Sequence, residues 1–375
     1  MKCWCYLFLL LCILGMGVSV FAAPIRLLRV PGGGIQPQAV VDAKGVLHVI
    51  YFKSDAAGGD LFYTRRAPDD TAFAQAIQVN DVPNSAIAIG FIRGAHMALG
   101  KNGRVHVAWM ASPKSNRDSH DQLPMYYARL NDRATAFEPQ RNVIAHAYGL
   151  DGGGSVAADA LGHVYVTWHA GQTEAERRVW VARSEDEGKT FSSEYAISDS
   201  TTGVCACCGM RAFADTGGKV YVMYRAATEK VHRDMYVLMS DNFGKTFSSR
   251  KLDTWEIEGC PMSASVLTSG ASGVVAGWET SGLVFYGRLN GDRVKIIGAP
   301  GETKPRKHPS LASHAKGEVL MAWTEGTGWN RGGAVAWQVF DRFGQPTDVA
   351  GHVEGLPVWS LVSAVVLPDG FAVIY

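Results

Sequence analysis

The most regular feature of the chain is an alternation of apolar with polar or small positions that ends repeatedly on a large aromatic. "VLHVIY" runs to Tyr51, "RVHVAW" to Trp109, "HVYVTW" to Trp168 and "KVYVMY" to Tyr224. "GVVAGW" runs to Trp278, "EVLMAW" to Trp323 and "GFAVIY" to Tyr375. Period-two alternation marks a β-strand. A glycine-bearing turn precedes many of these runs, as in "DAKG", "GKNG", "DALG", "DTGG" and "LPDG", and ahead of it lies a small-residue strand such as "PQAVVDA", "GSVAADA" or "PSLASHA". After each aromatic comes a variable loop and a third strand ("DLFYTRR", "PMYYARL", "RVWVARS", "DMYVLMS"). A fourth follows in "QAIQVN", "EYAIS" and "VKIIG".

Four short antiparallel strands recurring roughly every fifty residues predict an all-β fold, a β-propeller. One blade cannot bury both its faces, so neighbouring blades supply the core and the recurring aromatics are expected to pack between them. Six units are complete. A seventh, 358–375, supplies only two strands, and the N-terminal "PIRLLRV" reads as a fourth strand that closes it. Seven blades with a short last blade is the favoured count; six blades with an irregular end is the alternative.

Composition narrows the setting. The 375 residues carry a formal net charge of +1, which argues against a nucleic-acid partner, since that would call for a basic surface. The segment "MKCWCYLFLLLCILGMGVSVFAA" has one lysine, an apolar run from Tyr6 to about Val20, then small residues. It reads as a secretory signal over 1–22, cleaved after Ala22, with no lipobox around Cys12. The mature domain is then 23–375. No later apolar run approaches the roughly 18 residues that a membrane span needs, so the expectation is an exported protein, periplasmic or extracellular, without a transmembrane anchor.

"SEDEGKTF" at 184–191 joins the third and fourth strands of unit three, and "SDNFGKTF" at 240–247 occupies the same place in unit four. Ser184 and Asp186 can bond backbone N–H groups, Gly188 allows positive φ, and Phe191 can tuck beneath the turn. Degenerate copies stand in "APDDTAF" and "LNDRATAF". This motif resembles the Asp-box, or BNR repeat, of the sialidase superfamily, with Phe191 for the usual tryptophan and Asn242 for the aspartate of the second copy. The resemblance covers the mature chain as architecture. It implies a glycan or other small acidic ligand at the mouth of the central channel and, for an enzyme, an exo-sialidase-like glycoside hydrolase. Such an enzyme uses three arginines for the substrate carboxylate, an aspartate as acid/base and a glutamate-activated tyrosine.

Arginine is the right residue for a carboxylate because its planar donors bind in pairs. Arg93, Arg211 and Arg306 stand at comparable strand starts. Arg225 follows the second strand of unit four, with Glu229 and Asp234 in the next loop as acid/base candidates. Repeat position brings Gln36, His96, Asp151, His308 and Trp359 to the same rim. The loop "GWNRGG" offers Trp329 for stacking on a sugar. A proper R-I-P motif is absent, and Tyr221, Tyr236 and Tyr375 lie in strand positions rather than beside a glutamate. The expected ligand-binding set is therefore Arg93, Arg211, Arg225, Asp151 and His308. A binding module without turnover is the alternative.

The four mature cysteines gather in "GVCACCGMR" and "EGCPMSA". Cys205, Cys207 and Cys208 precede the innermost strand of unit four, and Cys260 precedes that of unit five. Adjacent blades bring these entrances together. An even cysteine set in an oxidising compartment predicts one or two disulfides, and a bridge from Cys207 or Cys208 to Cys260 would staple two blades. Four soft thiolates could instead hold Zn or Cu(I), which gives a third reading, a metal or redox protein. No cofactor is otherwise required.

Overall fold

The computed structural model describes residues 25–115, 122–229, 231–291, 293–301 and 305–375; the expected signal segment at 1–22 lies outside them. Seven sheets are arranged about one axis, six with four strands and one with three. We number the blades 1 to 7 in chain order. Their innermost strands are Ile35–Val41, His96–Leu99, Gly154–Ala158, Arg211–Ala214, Ser265–Gly270, Arg306–Ser313 and Ser363–Leu367. Each touches the innermost strands of its two neighbours, and Ile35–Val41 meets Ser363–Leu367 to close the ring. The fold is thus the seven-bladed propeller.

One detail of the closure differs from the sequence reading. Ile25–Leu28 takes the third position of blade 7, not the fourth, and pairs in parallel with Gly370–Ile374, Ile25 opposite Phe371 and Leu28 opposite Ile374. The direction follows from connectivity. This segment must finish on the face where the innermost strand of blade 1 begins, and the second strand of blade 7 ends on that face. Tyr375 N donates to Leu28 O and Val30 N donates to Tyr375 O, both at 3.0 Å.

The recurring aromatics pack between blades as expected. Trp109, Trp168 and Trp278 are at most 1% exposed. Trp168 lies among Met110, Met125 and Tyr127 of blade 2, and Trp278 among Met223 and Met235 of blade 4. Serines of the innermost strands add a polar stitch. Ser155, Ser310 and Ser363 each accept, at 2.9 Å, the backbone N–H of the following blade from Ala212, Ala364 and Ala39 respectively.

The two Asp-box turns clamp neighbouring blades. Gly188 N and Thr190 N donate to Ser184 Oγ and Asp186 Oδ1, both at 2.8 Å. Burial pushes the Asp186 carboxyl up, but the bonds from Thr190 and Ser184 outweigh it and hold it at about 2. Asn242 makes the matching bond to Thr246 N at 3.0 Å in the second copy. Gly188 has φ +76°, and a Cβ there would lie 1.8 Å from the Tyr127 hydroxyl of the preceding blade. Gly188→Ala therefore combines backbone strain with overpacking. The expected loss is about 2 kcal/mol or more, read as a lower denaturant midpoint with an unchanged slope.

Candidate functional site

The innermost strands all begin on one face, where propeller ligands usually enter. Here that entrance is covered. The connection from blade 1 to blade 2 sends residues 88–94 across the axis. Phe91 stacks on His308 of blade 6 with ring centroids 4.6 Å apart and lies 5.3 Å from Trp359 at the entrance to blade 7. Gln36 Nε2 of blade 1 donates to Ala88 O at 2.6 Å, and Arg93 Nε donates to Asp151 O at 2.8 Å. A Cβ on Gly209 would touch Ile92, and one on Gly90 would touch Met262. Phe91, Ile92, Gln36, His308 and Trp359 are all buried. Gln36, Phe91, Met262, His308 and Trp359 hold positive φ, a left-handed conformation that side chains adopt only when their surroundings over-determine it. Sequence reasoning missed this cap. Its signal is the apolar pair Phe91-Ile92 between Gly90 and Gly94, in a connection where no strand pattern explains it.

Beneath the cap the central channel encloses about 390 Å³, with Gln38, Arg211, Ser265 and His308 towards the capped end and Val41 and Ser313 towards the other. Arg211 is held by the channel walls with its head facing the void. One guanidinium nitrogen donates to Gln38 Oε1 at 2.9 Å, while Nε has no partner. No ion pair to Arg211 forms among the described residues, and burial alone lowers it to about 10. Three further buried atoms of channel-lining residues lack partners: Ser265 Oγ, Ser313 Oγ and His308 Nε2. His96 donates to or accepts from Ser155 Oγ at 2.7 Å. Burial, with Arg211 nearby, holds it well below its ordinary value, and burial does the same for His308. Both are neutral at pH 7. No Asp or Glu stands among the described residues that line the channel.

The other sequence-predicted residues do not converge there. Arg93 pairs with Asp151 at 3.0 Å on the cap. Arg225 is 1% exposed. It donates to Ser263 Oγ at 2.7 Å and to the carbonyls of Arg233 and Glu279, and lies 4.9 Å from the Trp255 ring centre. Arg306 is bound likewise to the carbonyls of Ala299 and Pro300 and lies over Trp323. Asp234 bonds Lys251 at 3.2 Å and accepts from Trp255 N. Glu229 is exposed, 3.7 Å from His232. Trp329 is exposed and meets Trp359 edge to face at 4.8 Å. No hydrogen bond among the described residues joins a tyrosine hydroxyl to a glutamate.

The cysteines do meet. Cys207 and Cys260 form a disulfide between the entrances to blades 4 and 5, with Cα atoms 6.2 Å apart. Cys205 and Cys208 are buried free thiols, Sγ to Sγ 2.7 Å, and Cys205 Sγ is 3.5 Å from Cys207 Sγ. Burial pushes the Cys208 thiol up, but the hydrogen bond from Cys205, the Arg225 guanidinium and Ser263 bring it down to about 7. Donating that bond, and burial, push Cys205 up.

No protein-family model matches the chain, and no curated protein matches it in sequence. Solved structures do resemble it. An ulvan lyase matches over 88% of this chain and 87% of its own, with a TM-score of 0.54 at 12% identity. The Trypanosoma rangeli sialidase matches over 79% of this chain with a TM-score of 0.53 at 12% identity, and the match spans 53% of the enzyme. By fold, this is a sialidase-like β-propeller. The α-L-arabinanase of Penicillium chrysogenum shares the architecture over 84% of this chain and 95% of its own, TM-score 0.52 at 13% identity. These likenesses carry the fold; this propeller's chemistry has to be argued from its own residues.

Proposed function

We propose that this sialidase-like propeller is an exported, non-hydrolytic binding protein that takes the carboxylate of a small acidic sugar into its central channel, with Arg211 as the anchor. The observation that carries the reading is the Arg211 guanidinium itself. It faces a channel of about 390 Å³, has no carboxylate partner among the described residues and keeps Nε unbonded. A partly desolvated cation without a counter-charge is costly, and an incoming carboxylate offsets that cost with charge-assisted bonds. The volume falls in the range of small-molecule sites, and Ser265, Ser313 and His308 offer further polar atoms for hydroxyl groups. One solved neighbour, the ulvan lyase, is described as bound to -[GlcA(1-4)Rha3S]-, a ligand that contains a uronic acid. That supports the ligand class.

Turnover is not part of the proposal. Glycoside hydrolysis needs paired carboxylates or an activated tyrosine, and neither borders Arg211. Because Phe91 covers one end of the channel, the ligand would enter from the end marked by Val41 and Ser313. The disulfide between Cys207 and Cys260 supports export, since such bonds persist in oxidising compartments.

Calorimetric titration with glucuronate tests the reading, with glucose as the neutral control. Wild-type protein is expected to bind glucuronate and not glucose, and Arg211→Met to weaken binding by roughly 10–100-fold, the worth of charged hydrogen bonds. Equal binding by Arg211→Met, or no binding of glucuronate by the wild type, would sink it.

A further inference from the structure

The four sulfurs form a series of decreasing exposure. Cys260 is exposed, Cys207 is half-buried, and Cys205 and Cys208 are buried. The outer two are bonded to each other, the inner two are free thiols, and Cys205 Sγ bridges the two pairs at 3.5 Å from Cys207 and 2.7 Å from Cys208. A staple between blades needs one bridge; a dithiol stacked beneath it adds nothing to that role. Thiol–disulfide exchange, in contrast, needs a second thiol within reach of a disulfide sulfur. The cations nearby suit thiolate chemistry. Arg225 shares Ser263 with the cluster, and Arg233 is buried and paired to Glu174 at 2.9 Å. Positive surroundings favour the attacking and leaving thiolates of such exchange.

We propose that this cluster is a thiol–disulfide relay, which carries two electrons from the buried Cys205/Cys208 pair to the surface Cys207/Cys260 pair and on to a disulfide of a partner protein. In the first step Cys205 passes its proton to Cys208 Sγ, 2.7 Å away, and attacks Cys207 Sγ. The 205–207 bond forms, the 207–260 bond breaks, and Cys260 leaves as a thiolate that takes up the proton. In the second, the Cys208 thiolate attacks Cys205 Sγ, the 205–208 bond forms, and Cys207 leaves and is protonated. The net change moves the disulfide inward and the dithiol outward, with no external oxidant. Exposed Cys260 then attacks the partner's disulfide, and Cys207 resolves the mixed disulfide. The partner gains two thiols, and this chain ends with both of its disulfides. A dithiol donor recharges it. The relay stands apart from Arg211 and does not depend on the channel's ligand.

The test uses the full mature chain, purified without reductant and assayed for metal. It is mixed with one equivalent of a peptide that carries an exposed internal disulfide, and thiols and disulfide linkages are mapped by mass spectrometry. The expected result is loss of both free thiols, appearance of a 205–208 linkage beside 207–260, and an equivalent of reduced peptide. Cys260→Ser and Cys205→Ser should each abolish peptide reduction. Should a variant misfold, wild-type mapping alone decides. Two unchanged thiols beside a persistent 207–260 bridge would overturn the relay in favour of a staple. Four thiols released together with stoichiometric Zn or Cu would overturn it in favour of a metal site.

Discussion

Replacing Arg225 with methionine is expected to lower the unfolding free energy by about 4 kcal/mol, because methionine fills much of the space and bonds none of the acceptors. The Ser263 hydroxyl and the carbonyls of Arg233 and Glu279 all receive donors from this one guanidinium. Each buried acceptor left unpaired costs about 1–3 kcal/mol, and the lost contact with Trp255 adds about 1. Arg225 ends the second strand of blade 4, whereas Ser263 and Glu279 belong to the entrance and second strand of blade 5. The loss is therefore of a joint between blades. Arg225→Lys should recover only part of it, since an ammonium cannot reach in three fixed directions. Denaturant titration reads the effect as a lower midpoint. A change below about 1 kcal/mol would mean that this arginine behaves as a surface residue, against its geometry.

Acid is expected to destabilise the protein before its carboxylates titrate. His106, His169 and His308 are buried and His96 is partly buried, and desolvation is the main reason each lies below 6.5, His106 at about 3 and His169 at about 4. Below pH 6.5 the unfolded chain takes up a proton at each of these positions and the folded chain does not. Stability therefore falls as pH falls, by up to about 1.4 kcal/mol per pH unit for each histidine. From pH 6.5 to 4.5, His106 and His169 together account for about 4 kcal/mol, a large part of the stability of a typical domain, and His96 and His308 act in the same direction. Carboxylates held low, such as Asp186 at about 2, add their loss only below about pH 4. The melting temperature should be flat from pH 8 to 7, then drop below 6.5 with a net uptake of protons on unfolding. A flat profile down to pH 5 would contradict the burial of these imidazoles.

Architecture was legible because it is periodic. Seven alternating runs ending on Tyr or Trp, each behind a glycine turn, report the second strands of the blades directly, and burial of those aromatics between blades follows from the period. Parallel closure by Ile25–Leu28 was less visible, since a strand pattern is the same read in either direction. The sulfur cluster was legible through repeat position alone, which brings the entrances of adjacent blades together. Arg211 was identified as a ligand candidate for the same reason. What repeat position could not separate was Arg211 from Arg225. Both flank the same entrance in sequence, yet one faces the channel and the other points between blades into backbone carbonyls. Non-periodic structure was hidden altogether. The Phe91 cap belongs to a single connection, and only its contacts with six other blade entrances reveal what it does.

The most direct test of the account is a crystal structure of the wild-type protein with glucuronate. The sugar is expected inside the central channel, its carboxylate within about 2.7–3.2 Å of the Arg211 guanidinium, with Phe91 still seated on His308. Glucuronate found instead on the outer face beside Trp329, with Arg211 untouched, would contradict it.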